Sequence, residues 1–403
     1  MSDKKNRFLH EVKIDWDEIE QKVREHKKQK LKQAAVIAAC CIAVFAVVYI
    51  FFQVKTYSKY RVVNTIERSD TEAAKFIQFN GNILKYSNDG AFYTDIKNNL
   101  IWNQTFEMQE PLMAQCEEYV AFADKGGQKV YVLNTSGLKG TVETNMQIQN
   151  IQVANQGTIA VLMKSEGASY IALYNKEGDC LAEGALHMEN SGYPMDMALS
   201  NDGQKLAVSI LDVSQGSVQT TISFYNFGSV GQNEIDNIVN TCSYAGNVIP
   251  EIVFVNNNRM LAFGDSGIMI FEGSEKPEEK KTIKVSEEIK SVFYDNSYFG
   301  YVYSDKENDN KRKMMIYDMK GAQVTDAELG INYDEIYFLS NHEICVQNNS
   351  QCEIYTLHGI RKFVSKFDEN LYYVLSRKGF RNYSLMLEGE TQQIKCKIFS
   401  SAR

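Results

Sequence analysis

Hydrophobic residues follow two different patterns along this chain. The segment from Ala34 to Phe52 is an unbroken apolar run without a charged residue. Beyond Arg61, short runs in which apolar and polar residues alternate are separated by Gly, Asn and Asp, as in β-strands joined by tight turns. These patterns predict one long apolar helix followed by an all-β body.

The apolar run predicts a transmembrane helix. A helix rises about 1.5 Å per residue, so the 19 residues of Ala34–Phe52 span roughly 30 Å, the thickness of a hydrocarbon core. Six Lys and Arg residues lie between Lys22 and Lys32, with Glu25 as the single acid among them. This positive excess predicts a single-pass plasma-membrane protein with its N-terminus in the cytoplasm and its C-terminal body outside.

A retained anchor agrees better with this segment than a cleaved signal peptide. The preceding tail is 33 residues long, and the segment after Phe51 offers no small-x-small cleavage pattern. A buried core helix would not usually be apolar on every side for five turns. Cys40 and Cys41 lie within the span, where we interpret them as small apolar residues rather than acylation sites.

The body repeats a unit of about four strands. A strand that ends in Tyr, then Asn or Asp, then Gly recurs in Leu173–Gly178 and Ile316–Gly321. Gly137 and Gly178, at equivalent points of two such units, are 41 residues apart. A period near 40 residues with about four strands per unit is typical of β-propeller blades, which bury their faces by packing radially.

We predict an all-β propeller with eight blades, and seven as the alternative. The blades would begin near residues 73, 109, 146, 190, 247, 288, 332 and 370. Three C-terminal strands, Leu371–Leu375, Tyr383–Leu387 and Ile394–Phe399, would be completed by Arg61–Ile66, which closes the ring. The predicted domains are a tail (1–33), a transmembrane helix (34–52), a linker (53–60) and the propeller (61–399).

Charge divides the chain in the same way. Residues 1–33 hold 10 Lys and Arg against 7 Asp and Glu, whereas the remainder holds 33 against 44. An acidic body argues against nucleic acid and anionic lipid as its main ligands. The expected partners are therefore the bilayer, through one helix, and an extracytoplasmic protein or cell-wall component.

Six cysteines lie beyond the apolar run, and none forms a C-x-x-C motif. Cys345 and Cys352 flank Asn348-Asn349. A two-residue turn at those asparagines would place the two cysteines directly opposite each other, where a cross-strand disulfide is compatible with an oxidising compartment. Two separate core-facing thiols agree equally well with the spacing.

Several strand and turn motifs resemble a known family. Gly192–Asp196, Ala198–Gly203, Phe224–Gly228 and Leu100–Asn103, behind a basic tail and one apolar helix, are similar to a bacterial family of unknown function. Its members are single-pass membrane proteins with an exported propeller-like domain. The resemblance implies this fold and topology, and it supplies no catalytic residue.

No motif in the sequence predicts catalysis. The Gly264–Gly267 segment has the form of a serine-protease nucleophile motif, but it lies in a predicted hairpin turn and lacks a matching His and Asp. His187, His342 and His358 have no metal-ligand spacing, and no phosphate loop or dinucleotide fingerprint is present. We expect a non-enzymatic protein without metal or cofactor.

The N-terminal tail carries a second candidate site. Asp15 would cap a helix, on which Trp16, Ile19 and Val23 form an apolar stripe. This stripe would either bind a cytoplasmic partner or rest on the bilayer edge.

These observations favour a membrane-anchored, extracytoplasmic interaction or scaffold protein of the cell envelope. Two alternatives remain open. A cell-wall glycan-active enzyme could gather its acids from separate blades in the propeller funnel, leaving no local motif. A transmembrane receptor could instead signal through the N-terminal tail.

Overall fold

The computed structural model describes residues 16–69, 74–187, 192–214, 216–305, 311–379 and 381–397. The chain forms two compact units that divide between Lys55 and Thr56. The first unit contains a helix, and the second contains the strands.

The helix α1 extends from Trp16 to Val54. It is the one helix among the described residues that is long and apolar enough to cross a membrane, with the candidate span at Ile19–Phe52. The side chains of Ile19 and Val23 are 45% and 46% exposed. Asp15, the predicted cap, and the side chain of Trp16 lie outside the described residues, so the apolar stripe remains a prediction.

The second unit consists of 32 strands in its described part, most of them five to eight residues long. The first of them is β1 (Tyr60–Glu67). Blade one comprises β2–β5: Lys75–Phe79, Asn82–Ser87, Gly90–Thr94 and Leu100–Thr105. Blade two comprises β6–β9: Pro111–Cys116, Tyr119–Asp124, Lys129–Asn134 and Gly137–Glu143. Blade three comprises β10–β13: Gln147–Val153, Ile159–Ser165, Ala168–Tyr174 and Cys180–His187. Blade four comprises β14–β17: Tyr193–Leu199, Lys205–Asp212, Gln219–Asn226 and Ile238–Ala245.

The remaining blades follow in chain order. Blade five comprises β18–β21: Glu251–Asn256, Arg259–Gly264, Gly267–Glu272 and Glu278–Lys284. Blade six comprises β22–β25: Ile289–Tyr294, Tyr298–Ser304, Arg312–Asp318 and Gln323–Glu328. Blade seven comprises β26–β29: Glu335–Phe338, Ile344–Asn348, Gln351–Tyr355 and Arg361–Lys366. Blade eight contains β30–β32: Leu371–Arg377, Asn382–Leu387 and Glu390–Cys396. Two short 3-10 turns, Gly231–Asn233 and Ile235–Asn237, precede β17.

The described strands form eight four-stranded antiparallel sheets, so the prediction of an all-β, eight-bladed propeller is confirmed. In blades one to seven the strands pair in chain order, and first strands of neighbouring blades contact one another, as β10 does with β14 and β14 with β18. Tight turns separate the strands, as predicted. In the Ser200–Gly203 turn, for example, Gly203 takes a φ of 68°, a left-handed conformation that favours glycine.

Strands from both ends of the propeller close the ring. In the eighth blade β1 pairs with β32, with Tyr60 opposite Cys396. The third C-terminal strand was predicted at Ile394–Phe399 but is observed at Glu390–Cys396, because Leu387 and Glu390 pair across a two-residue turn that starts the strand earlier. Phe399 lies outside the described residues.

The segment predicted as a linker, residues 53–60, is largely structured. The helix continues through Val54, and the propeller unit begins at Thr56. The main-chain N–H of Tyr57 donates to Lys362 O at 2.8 Å, and Val364 N–H donates to Tyr57 O at 3.0 Å. Tyr57 is buried, because these two bonds fix it against β29 in blade seven.

Eight clusters of buried apolar residues form the core of the propeller, one in each seam between neighbouring blades. In the seam between blades four and five, the rings of Phe224 and Phe271 lie 5.0 Å apart. In the closing seam between blades eight and one, Phe76 stacks on Tyr372 at 5.5 Å. Each fully buried Phe contributes about 1.5–3 kcal/mol, so the seams hold the blades in register.

Candidate functional site

A cavity of about 700 Å³ lies at the centre of the propeller. The first strands of blades two to five form its wall, and turns at one face of the ring form its rim. Its lining residues are Met113, Ala114, Gln115, Cys116, Glu117, Asn150, Ile151, Gln152, Val153, Asp196, Ala198, Leu199, Asn201, Pro250, Glu251, Ile252, Val253, Phe254, Val255, Tyr294 and Asp295. We call it the central cavity.

The charged residue types that line the central cavity are all acidic. Its lining contains four acids, Glu117, Asp196, Glu251 and Asp295, but no Lys, Arg or His. The acids come from blades two, four, five and six. The cluster therefore forms only when these four blades pack together. The protein wall limits the water around Asp196 and Glu251, whereas Glu117 is exposed.

Asp196 is the most firmly fixed of these acids. A β-bulge between Pro194 and Asp196 interrupts the pairing of β14, where proline has no N–H to donate. The Asp196 carboxylate accepts hydrogen bonds from the Asn150 amide and the Ile252 main-chain N–H, each at 2.9 Å. Burial nevertheless raises the pKa of Asp196 to about 6, because desolvation of the charged form outweighs these bonds.

Glu251 begins β18 directly after Pro250 and faces the same space. Burial, and then the charge of Asp196, raise the pKa of Glu251 to about 7. The hydroxyl of Tyr294 lies near the Glu251 carboxylate and acts to lower the pKa of that acid. Burial together with the charge of Glu251 raises the pKa of Tyr294 well above its usual value, so this phenol stays protonated as a donor. Each of the two carboxyls therefore gains or loses its proton near neutral pH.

Asp295 stands at the rim and is held from both sides. One carboxylate oxygen accepts from the main-chain N–H groups of Ser297 and Tyr298, each at 2.7 Å. The other lies 2.6 Å from Nδ1 of His342 in blade seven. His342 lies in the turn before β27, with φ of 60°, and β27 begins at Ile344.

Other residues that the sequence singled out lie away from this cavity. Ser266 occupies the two-residue turn between β19 and β20, as predicted. His358 lies in the turn between β28 and β29, and His187 ends β13. Across the described segments, no group of three or more His, Cys, Asp or Glu residues is arranged to hold a metal ion.

Cys345 and Cys352 are close but not directly opposite. The hairpin turns at Asn349-Ser350 rather than at Asn348-Asn349, so Cys345 pairs with Ile354. The two sulfurs nevertheless lie 3.7 Å apart across the diagonal, and both cysteines are buried free thiols. Burial raises the pKa of Cys352 far above that of an exposed thiol.

Sequence reasoning missed Asp196 and Glu251 as a pair. They belong to the first strands of different blades, and no local motif joins them. One signal was present in retrospect: each acid follows a proline at the start of a blade, Pro194 before Asp196 and Pro250 before Glu251.

Comparison with known structures supports the fold. The C-terminal WD40 domain of Sif2 matches with a TM-score of 0.57 and 11% identity, over 85% of this chain and 100% of that domain. BamB from Moraxella catarrhalis matches with a TM-score of 0.47 and 11% identity, over 84% of this chain and 100% of that chain. At such identity the likeness to Sif2 shows the fold alone.

Comparison with known sequences defines the relationship more narrowly. No curated protein sequence matches this chain. The model of one family of unknown function, DUF5711, matches residues 53–396, which include all eight blades. The chain therefore belongs to the DUF5711 family of unknown function.

Proposed function

We propose that this chain is a single-pass plasma-membrane protein whose propeller, outside the cytoplasm, binds a cationic group of a partner in the central cavity. The observation that carries the proposal is the lining of that cavity, with four carboxylates and no basic residue. The partner is an exposed protein segment or a cell-wall component that carries amines or guanidinium groups. A lining of carboxylates attracts positively charged groups.

The cavity has the form of a binding site. Its volume of about 700 Å³ is in the range of sites for small molecules or a few side chains. Asp196 is already oriented by Asn150 and Ile252, so little side-chain freedom is lost on binding. Tyr294 adds a hydroxyl and an aromatic face beside Glu251, a surface that suits ammonium and guanidinium groups.

The proposed topology follows from charge around the apolar helix. Six basic residues lie between Lys22 and Lys32, whereas Lys55, Lys59 and Arg61 are the nearest after the helix. This asymmetry keeps the N-terminus inside and places the propeller outside. Protease added to wall-stripped intact cells should digest the propeller and spare an N-terminal fragment. A propeller that resists digestion until lysis would contradict the topology.

Binding can be tested on the full chain in lipid nanodiscs. The probes are a four-residue Lys peptide with a C-terminal amide and the matched Glu peptide. We expect the Lys peptide alone to bind, more weakly as salt rises, and Glu251→Gln to lower its affinity at least tenfold.

Glu278→Gln is the matched control, because it removes one acid from the exposed outer strand of the same blade. An equal loss of affinity in Glu251→Gln and Glu278→Gln would show that net charge, and not the cavity, attracts the peptide. Absence of binding by the wild-type chain would also reject the proposal.

A second function, glycan hydrolysis, is favoured by one observation. Asp196 and Glu251 share the central cavity, and the pKa values of both are raised, to about 6 and about 7. A protonated carboxyl beside an ionised one is what a glycosidase uses as acid and base or nucleophile. Release of reducing ends from purified wall glycan, lost in Asp196→Asn and in Glu251→Gln, would establish it. Intact glycan with the wild-type chain would reject it.

A further inference from the structure

A second cavity lies in the seam between blades three and four. It has a volume of about 420 Å³ and shares no lining residue with the central cavity. Its walls combine apolar and polar surface in similar amounts, and the apolar residues include Leu186, Tyr225 and Phe227. We call it the seam cavity.

The space exists because one wall is built from small residues. In blade three, Ala182 pairs with Leu173, and Gly184 pairs with Ile171. At these positions β12 carries the large side chains of Ile171 and Leu173, whereas the outer strand β13 carries only glycine and alanine. Ile171 and Leu173 are themselves buried, and the half-buried apolar side chains that line the space are Ala182, Leu186, Tyr225 and Phe227.

Gly184 has no conformational reason to be glycine. Its φ lies outside the left-handed region, and the single irregularity between β12 and β13 is at Leu173/Tyr174, away from it. A Cβ built on Gly184 meets no atom within 4 Å. A glycine inside a strand weakens it and often marks a place where a ligand or another backbone comes close. Here no group of the chain comes close, so the open space is available to a ligand.

The mouth of the seam cavity is acidic. Asp236, an exposed residue, stands among its lining residues, which include no Lys, Arg or His. The side chain of Glu183, which pairs with Ala172, points to the opposite face of the sheet. Asp236 belongs to the loop that walls the cavity from blade four. Apolar side chains beside a single carboxylate at the edge match a molecule with an apolar body and a positively charged end.

We propose that the seam cavity binds a small amphipathic cation, an amine with an aliphatic or aromatic body. The apolar body lies against Tyr225 and Phe227, over Gly184, and the ammonium group stays at the edge beside Asp236. The volume of about 420 Å³ falls within the range of small-molecule sites and exceeds what one protein side chain fills. This site is separate from the central cavity and does not depend on its function.

The probes are n-butyl-, n-hexyl- and n-octylammonium, with hexanoate as the anionic counterpart. Binding is measured by calorimetry on the full chain in lipid nanodiscs, with empty nanodiscs as the blank. We expect affinity to rise about fourfold per added methylene until the cavity is full. Hexanoate should not bind, because its charge is repelled at the mouth.

Variants locate the site. Gly184→Leu fills the cavity and should lower the affinity for hexylammonium at least tenfold, with Gly184→Ala intermediate. Gln323→Leu is the matched control, since it adds a leucine to the exposed outer strand of blade six, and it should bind like the wild-type chain. If Gly184→Leu does not fold, Asp236→Asn provides a second test, with a loss of three- to tenfold.

The outcome also separates this site from the central cavity. Glu251→Gln should leave the dependence on chain length unchanged, whereas Gly184→Leu should abolish it. Unchanged hexylammonium affinity in Gly184→Leu, or affinity that does not vary with chain length in the wild-type chain, would overturn the proposal.

Discussion

The carboxylate of Asp196 accepts a hydrogen bond of 2.9 Å from the main-chain N–H of Ile252. Since it also accepts one from Asn150, a single side chain joins the first strands of blades three, four and five. The same bond brings Asp196 close to Glu251, the residue before Ile252. The charge of Asp196 then helps to raise the pKa of Glu251. The geometry that fixes the wall of the cavity thus also sets its acidity.

Stability should fall as pH rises from about 4 to about 7. The pKa values of Asp196 and Glu251 are higher in the folded chain, about 6 and about 7, so the folded state binds protons more tightly than the unfolded state. Their contribution is therefore full at low pH and is lost as pH rises through the folded values. We expect a fall on the order of 3 kcal/mol, measured by urea unfolding at each pH.

Two variants isolate this effect. Glu251→Gln should reduce the fall in stability between pH 4 and pH 7 and leave the part that comes from Asp196. Glu278→Gln should leave it unchanged, because Glu278 is an exposed acid paired with Lys280, whose ammonium lowers the pKa of Glu278. A profile for Glu251→Gln that follows the wild-type chain would contradict the assignment.

Lys362→Met should destabilise the propeller by about 3–5 kcal/mol. The Lys362 ammonium lies 2.7 Å from Glu343, and the Tyr383 hydroxyl donates to the other Glu343 oxygen at 2.7 Å. These partners link blades seven and eight in a buried setting, so removal of the lysine leaves a buried carboxylate without its cation. Chemical unfolding of the full chain measures the change.

An exposed pair provides the comparison for Lys362. Lys125 and Glu110 are 2.8 Å apart but mostly solvated, and Lys125→Met should cost less than about 1 kcal/mol. Glu343→Gln added to Lys362→Met should recover part of the loss. Equal costs at Lys362 and Lys125 would show that burial does not control this pair.

Two strand glycines should respond to alanine in opposite directions. A Cβ at Gly140 would collide with the carbonyl oxygen of Lys176 in the next blade, so Gly140→Ala should cost about 1–3 kcal/mol. Gly184 has open space, and Gly184→Ala should stabilise the chain by about 0.5–1 kcal/mol. Thermal unfolding distinguishes the two, and a destabilised Gly184→Ala would contradict the open seam.

The cysteines should differ sharply in reactivity. Cys180 is exposed, whereas Cys345 and Cys352 are buried thiols, so a maleimide added to the folded chain should label Cys180 and spare the other two. All three should react after unfolding without reductant. If Cys345 and Cys352 stay unlabelled until reductant is added, they form a disulfide and the assignment as free thiols is wrong.

Local patterns sufficed to predict the architecture. The recurring Tyr, Asn or Asp, Gly ending and the period near 40 residues predicted blades that begin within a few residues of those observed, from Lys75 to Leu371. Turn chemistry sets the ends of strands, so errors appeared where a turn was misplaced. The hairpin at Asn349-Ser350 shifted the partners of Cys345, and the turn before Glu390 moved the last strand.

The sequence by itself determined an apolar helix, eight units of alternating strands and a net negative body, because each follows from residues close together along the chain. Only the tertiary structure decided which side chains meet at the centre and in the seams. Asp196 and Glu251 become neighbours, and the space beside Gly184 becomes a cavity, through the packing of separate blades. Contacts between blades depend on register and twist, which no local pattern records.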